Sequence, residues 1–161
     1  MDNEQIELRR RQALGMLKNY NANKVQCDML TSKLRELERR TDVGVGAVSY
    51  DQPTAGATNA VNSITEKVVI SKMETTTRLQ NELARVQGQI ERIDIALNNL
   101  PYAQRTVLEL RYIERLSWRL ITFHLNYSED YLRKELHDSA LDMLTGFLFP
   151  ELAMVGLFGE V

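Results

Sequence analysis

The sequence is poor in residues that break helices and in residues that carry redox or metal chemistry. Its 161 residues include three prolines, eight glycines, two histidines and one cysteine, Cys27. So few prolines and glycines leave room for long helices. A single cysteine excludes an internal disulfide framework and suits a reducing cytoplasm.

Membrane segments and a strong excess of positive charge are also lacking. No run of 18 apolar residues occurs, so no transmembrane span is predicted. The first twelve residues are charged and lack the apolar core of a secretory signal. The formal net charge of −2 excludes a polycation that coats nucleic acid along its whole length. We therefore expect a cytoplasmic protein without membrane contact.

Side chains that support catalysis are sparse. His124 and His137 are the only histidines, and neither has acidic or cysteine neighbours at a metal-ligand spacing. Cys27 falls within a helical stripe, where a structural role is commoner than a nucleophilic one. Gly44 and Gly46 lack the lysine and hydroxyl residue of a phosphate loop. The sequence thus predicts no catalytic site, no metal site and no cofactor, and hence a protein that is not an enzyme.

Two long amphipathic helices dominate the predicted fold. Residues 1–41 form the first, and residues 64–99 form the second, with Ser63 as its N-cap and Glu66 completing a capping box. Residues 42–63 contain glycine, proline and few charges, which is typical of a linker. In the second helix, a coiled-coil spacing of four and three residues joins Leu79, Leu83, Val86, Ile90, Ile93, Leu97 and Leu100. In the first helix, a looser stripe joins Ile6, Ala13, Met16, Tyr20, Cys27, Leu30, Leu34 and Leu37.

Equal helix lengths and a connecting linker favour a long antiparallel helical hairpin, or coiled coil. A hairpin of two helices buries little apolar surface by itself. We therefore expect a homodimer or a higher homo-oligomer.

Residues 100–145 predict three short helices and a sharp turn. Pro101 suits the first turn of a helix, and Ser117 and Ser128 suit the caps of two more. Asn126 tolerates the left-handed conformation in which a helix ends. This layout is that of a helix-turn-helix, so the predicted fold class is all-α.

The last segment, residues 146–161, is unexpectedly apolar. Its large side chains cannot all stay exposed in a soluble monomer. We expect this tail to pack on the protein or on a neighbouring subunit, with docking to another protein as the alternative.

A helix-turn-helix reads DNA with the exposed side of its last helix. The positions expected there include Tyr131, Arg133, Lys134 and His137, and Arg119 could anchor a phosphate. Residues 128–144 nevertheless carry five acidic and two basic residues. Basic residues elsewhere, Arg9, Arg10 and Arg11 among them, could add phosphate contacts. A three-helix module that docks on a protein is the alternative.

Residues 100–144 resemble region 4 of sigma-70-type factors. The resemblance is carried by Leu100-Pro101, the run from Val107 to Tyr112, Leu116-Ser117-Trp118, Ile121, Leu125 and Ser128. Ser117-Trp118, the turn from Leu125 to Ser128, and His137 followed by Ala140-Leu141 look like one branch in particular, the phage-encoded late-gene transcriptional activators of the RinA/ArpU type.

This resemblance implies a DNA-binding activator of phage or prophage late genes that acts in the bacterial host cell through promoter DNA and host RNA polymerase. The resemblance implies a recognition helix over residues 128–144 with Tyr131, Arg133, Lys134 and His137 facing DNA. Together with Arg119, which departs from the family's usual acidic residue, and Ser128, these form the expected DNA-binding set. Two alternatives stay open. One is a helical adaptor that binds RNA polymerase or a phage protein without touching DNA, and the other is a DNA-packaging subunit similar to a small terminase.

Overall fold

Helices make up the regular structure of the described part of the chain. The computed structural model describes residues 3–44 and 58–151, and within them it shows an all-α fold. Its five helices are α1 (Asn3–Gly44), α2 (Thr58–Asn98), α3 (Tyr102–Leu108, continued by a π-helical turn at Glu109–Ile113), α4 (Trp118–Leu125) and α5 (residues 129–148, with a π-helical turn at Leu132–Leu136). The predicted fold class is confirmed.

Both long helices extend into the predicted linker. α1 ends at Gly44 rather than at residue 41, and α2 begins at Thr58, so the prediction of Ser63 as its N-cap is wrong. Residues 58–62 contain neither glycine nor proline, so nothing in them stops the helix from starting earlier. The rest of the predicted linker, residues 45–57, lies outside the described residues.

The chain divides into two compact units, and the division crosses the long helices. Unit 1 comprises Met1–Lys24 and Gly88–Val161, and unit 2 comprises Val25–Gln87. The start of α1 and the end of α2 therefore belong with the C-terminal helices, whereas the sequence segments had placed them in a separate hairpin. The physical reason is that these helix ends share one apolar core with α3, α4 and α5.

Polar contacts show that α1 and α2 run antiparallel within unit 1. The Tyr20 hydroxyl donates to the Asp94 carboxylate at 2.6 Å, and the Asn23 amide donates to Gln89 at 3.4 Å. From Tyr20 to Asn23 the chain advances along α1, whereas from Asp94 to Gln89 it goes back along α2, so the two helices run in opposite directions. In unit 2 the same two helices are joined by Gln26, whose amide donates to Glu82 at 3.0 Å.

The core of unit 1 is formed by the predicted apolar stripes. Ile93 and Leu97 of α2 and Leu100 just after it are buried, as the coiled-coil spacing indicates. On α1, Ala13 and Leu17 are fully buried, although Leu17 lies outside the predicted stripe, whereas Ile6 remains 44% exposed. Full burial of such a side chain contributes about 1.5–3 kcal/mol. Other fully buried members are Val107, Leu108, Ile121, Leu132 and Leu144.

The first residues of the apolar tail belong to this core. α5 continues to Leu148, past the predicted boundary at residue 145, and both Leu148 and Phe149 are buried. The prediction that the tail packs on the protein is confirmed for these residues, and residues 152–161 lie outside the described part of the chain. Among the described helices, none combines the length and apolarity needed to cross a membrane.

Candidate DNA-binding surface

The geometry of α4 follows from three local signals in the sequence. The Ser117 hydroxyl accepts a hydrogen bond from the Leu120 amide, and the Ser128 hydroxyl accepts one from the Tyr131 amide at 3.3 Å. Between these two caps, Asn126 adopts the left-handed conformation (φ 58°, ψ 31°), and its backbone N–H donates to the Thr122 carbonyl. Both predicted caps and the predicted turn are confirmed, and they leave a three-residue connection between α4 and α5.

Most of the predicted DNA-binding residues are exposed. α4 buries Ile121 and the start of α5 buries Leu132 and Leu136, so the opposite sides of these helices face solvent. On those sides lie Arg119, Tyr131, Arg133 and Lys134, and Ser128 is exposed in the connection before α5. These five residues are therefore accessible to a partner, although the Ser128 hydroxyl is already engaged as a helix cap.

Two of the exposed cations are paired with acids one turn earlier on α5. The Arg133 guanidinium lies 3.2 Å from the Glu129 carboxylate, and the Lys134 ammonium lies 2.9 Å from the Asp130 carboxylate. Exposed pairs at this helical spacing contribute only about 0.3–0.5 kcal/mol. A phosphate oxygen can therefore replace either carboxylate at small cost.

His137 does not lie where the sequence placed it. Its side chain is only 14% exposed, its Nε2 is 2.7 Å from the Tyr112 hydroxyl, and its Nδ1 is 3.3 Å from the Asp138 carboxylate. Burial lowers the pKa of this imidazole, and the nearby Asp138 opposes that effect only partly. The prediction that His137 is exposed and faces DNA is wrong. His137 precedes the buried Ala140, Leu141 and Leu144 by three, four and seven residues, so helical spacing places it at the inner side of α5.

The Trp118 ring contacts both the half-buried His137 and two arginine side chains. Its ring meets His137 edge-on, with centroids 5.4 Å apart. The guanidinium of Arg111 lies 5.0 Å from the Trp118 centroid, and that of Arg133 lies 5.8 Å from it. Such cation–π contacts contribute about 0.5–1 kcal/mol at exposed sites. Trp118 therefore helps to hold Arg133 in place, a role that the sequence did not reveal.

α1 supplies a cation that compensates the acidic α5. Arg10 lies 2.9 Å from the Asp138 carboxylate and 3.3 Å from that of Asp142. With the two pairs on the exposed side, four of the five acids in residues 128–144 have an ion-pair partner, and only Glu135 has none among the described residues. Because Arg10 is engaged here, and Arg9 pairs with Glu151 at 3.4 Å, the expectation that both reach phosphates does not fit this arrangement.

Comparison with known proteins gives a family. A family model described as "Protein of unknown function (DUF722)" matches residues 9–143. The chain belongs to the DUF722 family. The match includes most of α1, all of α2, α3 and α4, and α5 as far as Met143. No significant match was found among curated proteins or among solved structures.

This DUF722 chain also exposes apolar side chains beside the cations. Leu120 is 49% exposed and Phe123 is 73% exposed, one turn apart on α4. Beyond the turn, the rings of Tyr127 and Tyr131 lie 5.1 Å apart and each residue is 44% exposed. Exposed aromatic residues of this kind are typical of contact surfaces.

Two kinds of chemistry, metal ligation and thiol nucleophilicity, can be examined in the described residues of this DUF722 chain. No group of three or more His, Cys, Asp or Glu residues there is arranged to hold a metal ion. Cys27 is half-buried, and burial, followed by the charge of Asp28, raises the pKa of its thiol. A raised pKa disfavours the thiolate that nucleophilic chemistry requires.

Proposed function

We propose that the chain is a DNA-binding transcriptional regulator that activates phage or prophage late genes. In this proposal α4, the connection 126–128 and α5 act as a helix-turn-helix, with α5 in the major groove. The observation that carries it is the exposed start of α5, which follows a left-handed turn and a serine cap and presents Tyr131, Arg133 and Lys134 together. The resemblance of residues 100–144 to sigma region 4 supports the same assignment.

The charges suit a binder that depends on a few cations. Arg119 is exposed and makes no ion pair with any described residue, so its guanidinium is available to bind a DNA phosphate. Arg133 and Lys134 can exchange their weakly bound carboxylates for phosphates or for guanine edges. Because α5 also carries acids, each module binds weakly, and two modules on one duplex would bind more tightly through avidity.

A titration against salt tests this function. DNA ligands are first selected from a random duplex library, and binding of the full-length protein is then followed by fluorescence anisotropy at several salt concentrations. Removal of two cations, Arg133→Ala with Lys134→Ala, should weaken binding about tenfold or more and reduce the slope of log K against log salt by about 2.

A matched control removes two exposed helical cations that also form ion pairs, Arg40→Ala with Arg85→Ala. This variant should keep the affinity and the slope. The DNA-binding proposal fails if wild-type binding shows no salt dependence, or if the two double variants behave alike.

A second candidate function is favoured by the exposed apolar residues of α4. Leu120 and Phe123 could dock on a protein, so the chain could be an adaptor that binds RNA polymerase without touching DNA. A pull-down with host RNA polymerase tests it. The adaptor is favoured if RNA polymerase retains the wild-type chain but not the Phe123→Ser variant, and if the wild-type chain does not bind DNA at low salt. If light scattering instead gives the molar mass of a ring of many subunits rather than of a dimer, the chain would be a DNA-packaging subunit.

A further inference from the structure

The connection between α3 and α4 contains an arginine in an unfavourable backbone conformation. Arg115 has φ 57°, and Asn126 is the one other described residue that has a positive φ without being glycine. Glycine and asparagine are the usual residues in this left-handed region, because most side chains are disfavoured there. Other residues that persist in it are concentrated at functional sites. The choice of arginine at position 115 therefore calls for a role beyond the turn itself.

Hydrogen bonds on both sides of Arg115 hold the connection in this shape. The Leu116 N–H donates to the Leu110 carbonyl at 2.8 Å, which closes the end of α3. The Leu116 carbonyl accepts a hydrogen bond from Nη1 of Arg111 at 2.9 Å. Arg115 thus occupies the position after a helix end at which glycine is the commonest residue.

Residues 111–119 form a local excess of positive charge. They contain three arginines, Arg111, Arg115 and Arg119, against one acid, Glu114, which leaves a net charge of +2. Arg115 and Arg119 are exposed, and neither side chain makes a hydrogen bond or an ion pair with any described residue. Both guanidinium groups are therefore available to an anionic partner, and arginine suits phosphate because it can donate two parallel hydrogen bonds to it.

This excess of charge lies beside the start of α5. The Trp118 ring, which follows the connection, has the guanidinium of Arg111 at 5.0 Å from its centroid and that of Arg133 on α5 at 5.8 Å. Arg115 precedes Trp118 by three residues, so their Cα atoms are at most about 11 Å apart. The major groove of DNA is about 12 Å wide. Phosphates at the edge of a groove that holds α5 are therefore close to Arg115.

We propose that Arg115 and Arg119 form a phosphate-binding site for the backbone of double-stranded DNA, at the edge of the groove that α5 occupies. The inference rests on the proposed DNA binding and deepens it, because it separates a backbone contact from the reading of bases by α5. Phosphate contacts position a protein on the duplex without carrying sequence information. The turn sacrifices stability to keep a cation at this place.

Replacement of Arg115 by glycine separates DNA binding from folding. Glycine adopts the left-handed conformation without strain, so Arg115→Gly should melt about 2–4 °C above the wild type. Its affinity for DNA should nevertheless fall about three- to tenfold, and the slope of log K against log salt should decrease by about 1. Arg115→Lys keeps the charge and should bind DNA within about twofold of the wild type.

Two duplexes, one selected for binding and one of shuffled sequence, identify the kind of contact. Arg115→Gly and Arg119→Ala should each lose affinity equally for both duplexes, as expected for a phosphate contact. The variant with Arg133→Ala and Lys134→Ala should lose more affinity for the selected duplex. Arg78→Ala removes an exposed arginine of α2 that makes no ion pair with any described residue, and this control should bind both duplexes like the wild type.

The outcomes distinguish this inference from the proposed function. If Arg115→Gly binds DNA like the wild type while the double variant at positions 133 and 134 binds weakly, the inference is overturned and the proposed function stands. The inference is also overturned if Arg115→Gly melts below the wild type, because the arginine would then stabilise the fold. A loss confined to the selected duplex would overturn it as well, since Arg115 would then read bases. A wild type without salt-dependent DNA binding overturns the inference together with the proposed function.

Discussion

Arg10 of α1 binds Asp138 of α5, with its Nη2 at 2.9 Å from the carboxylate oxygen. The two residues are 128 positions apart in the chain. Their contact brings a cation from the first helix to the acidic helix that is proposed to read DNA. The electrostatics of α5 therefore depends on α1 as well as on its own sequence.

Loss of this cation should affect both stability and DNA binding. Arg10→Ala should lower the free energy of unfolding by about 0.5–1 kcal/mol, because both partners are partly exposed and solvent screens the pair. It should also weaken DNA binding, since Asp138 and Asp142 lose their partner. Urea unfolding and anisotropy measure the two effects. Arg11→Ala, an exposed neighbour, is the control, and equal effects of the two variants would contradict the assignment.

His137 should make the stability of unit 1 depend on pH. Burial lowers the pKa of its imidazole below the ordinary value of 6.5, although Asp138 opposes this, and Arg10 and Arg111 add to the lowering. Between pH 6.5 and the lower folded pKa, the unfolded chain binds a proton that the folded chain does not. The folding stability that comes from keeping His137 neutral is therefore fully present above pH 6.5, and it is lost as the pH falls through that window.

The measurement is urea unfolding of the wild type and of His137→Gln at pH 7.5 and pH 5.5. The wild type should lose more stability on acidification than the variant, because glutamine does not titrate but can still hydrogen-bond to Tyr112. An NMR titration that gives His137 a pKa at or above its ordinary value would contradict this prediction.

The turn between α4 and α5 should tolerate glycine and resist alanine. Asn126 has φ 58°, in the left-handed region that alanine disfavours by about 1–2 kcal/mol. Asn126→Ala should therefore lower the melting temperature, while Asn126→Gly should stay close to the wild type. The two variants can be compared by thermal unfolding followed by circular dichroism. If alanine were as stable as glycine, the turn would not require this conformation.

Ser128 allows capping to be separated from DNA contact. Its hydroxyl accepts the Tyr131 amide, so Ser128→Ala should cost about 1 kcal/mol of stability, whereas Ser128→Asp should preserve the cap. The aspartate would repel a nearby phosphate and weaken DNA binding despite normal stability. Ser139→Ala, at an exposed position of α5, should change neither property. Unaltered DNA affinity in Ser128→Asp would remove Ser128 from the interface.

Local signals in the sequence predicted the helices and the turn well. The coiled-coil spacing indicated the buried side of α2, and Ser117, Asn126 and Ser128 took the cap and turn conformations expected of them. These features depend on interactions between residues that are close in the chain. The start of α2 was missed because residues 58–62 are compatible with either helix or linker.

The candidate site was predicted less completely. Arg119, Tyr131, Arg133 and Lys134 are exposed as expected, but His137 is not. Position 137 lies one turn after the exposed Arg133 and one turn before the buried Leu141, so helical spacing alone is compatible with either an exposed or a buried side chain.

The sequence by itself determined the all-α class, the apolar sides of the long helices and the capped turn between α4 and α5, because all three follow from local spacing and local hydrogen bonds. Only the tertiary structure decided that Arg10 compensates Asp138, that Trp118 holds Arg133, and that His137 turns inward to Tyr112. Each of those contacts joins residues on different helices that are separated in the chain. Local residue spacing does not encode which residues of different helices meet.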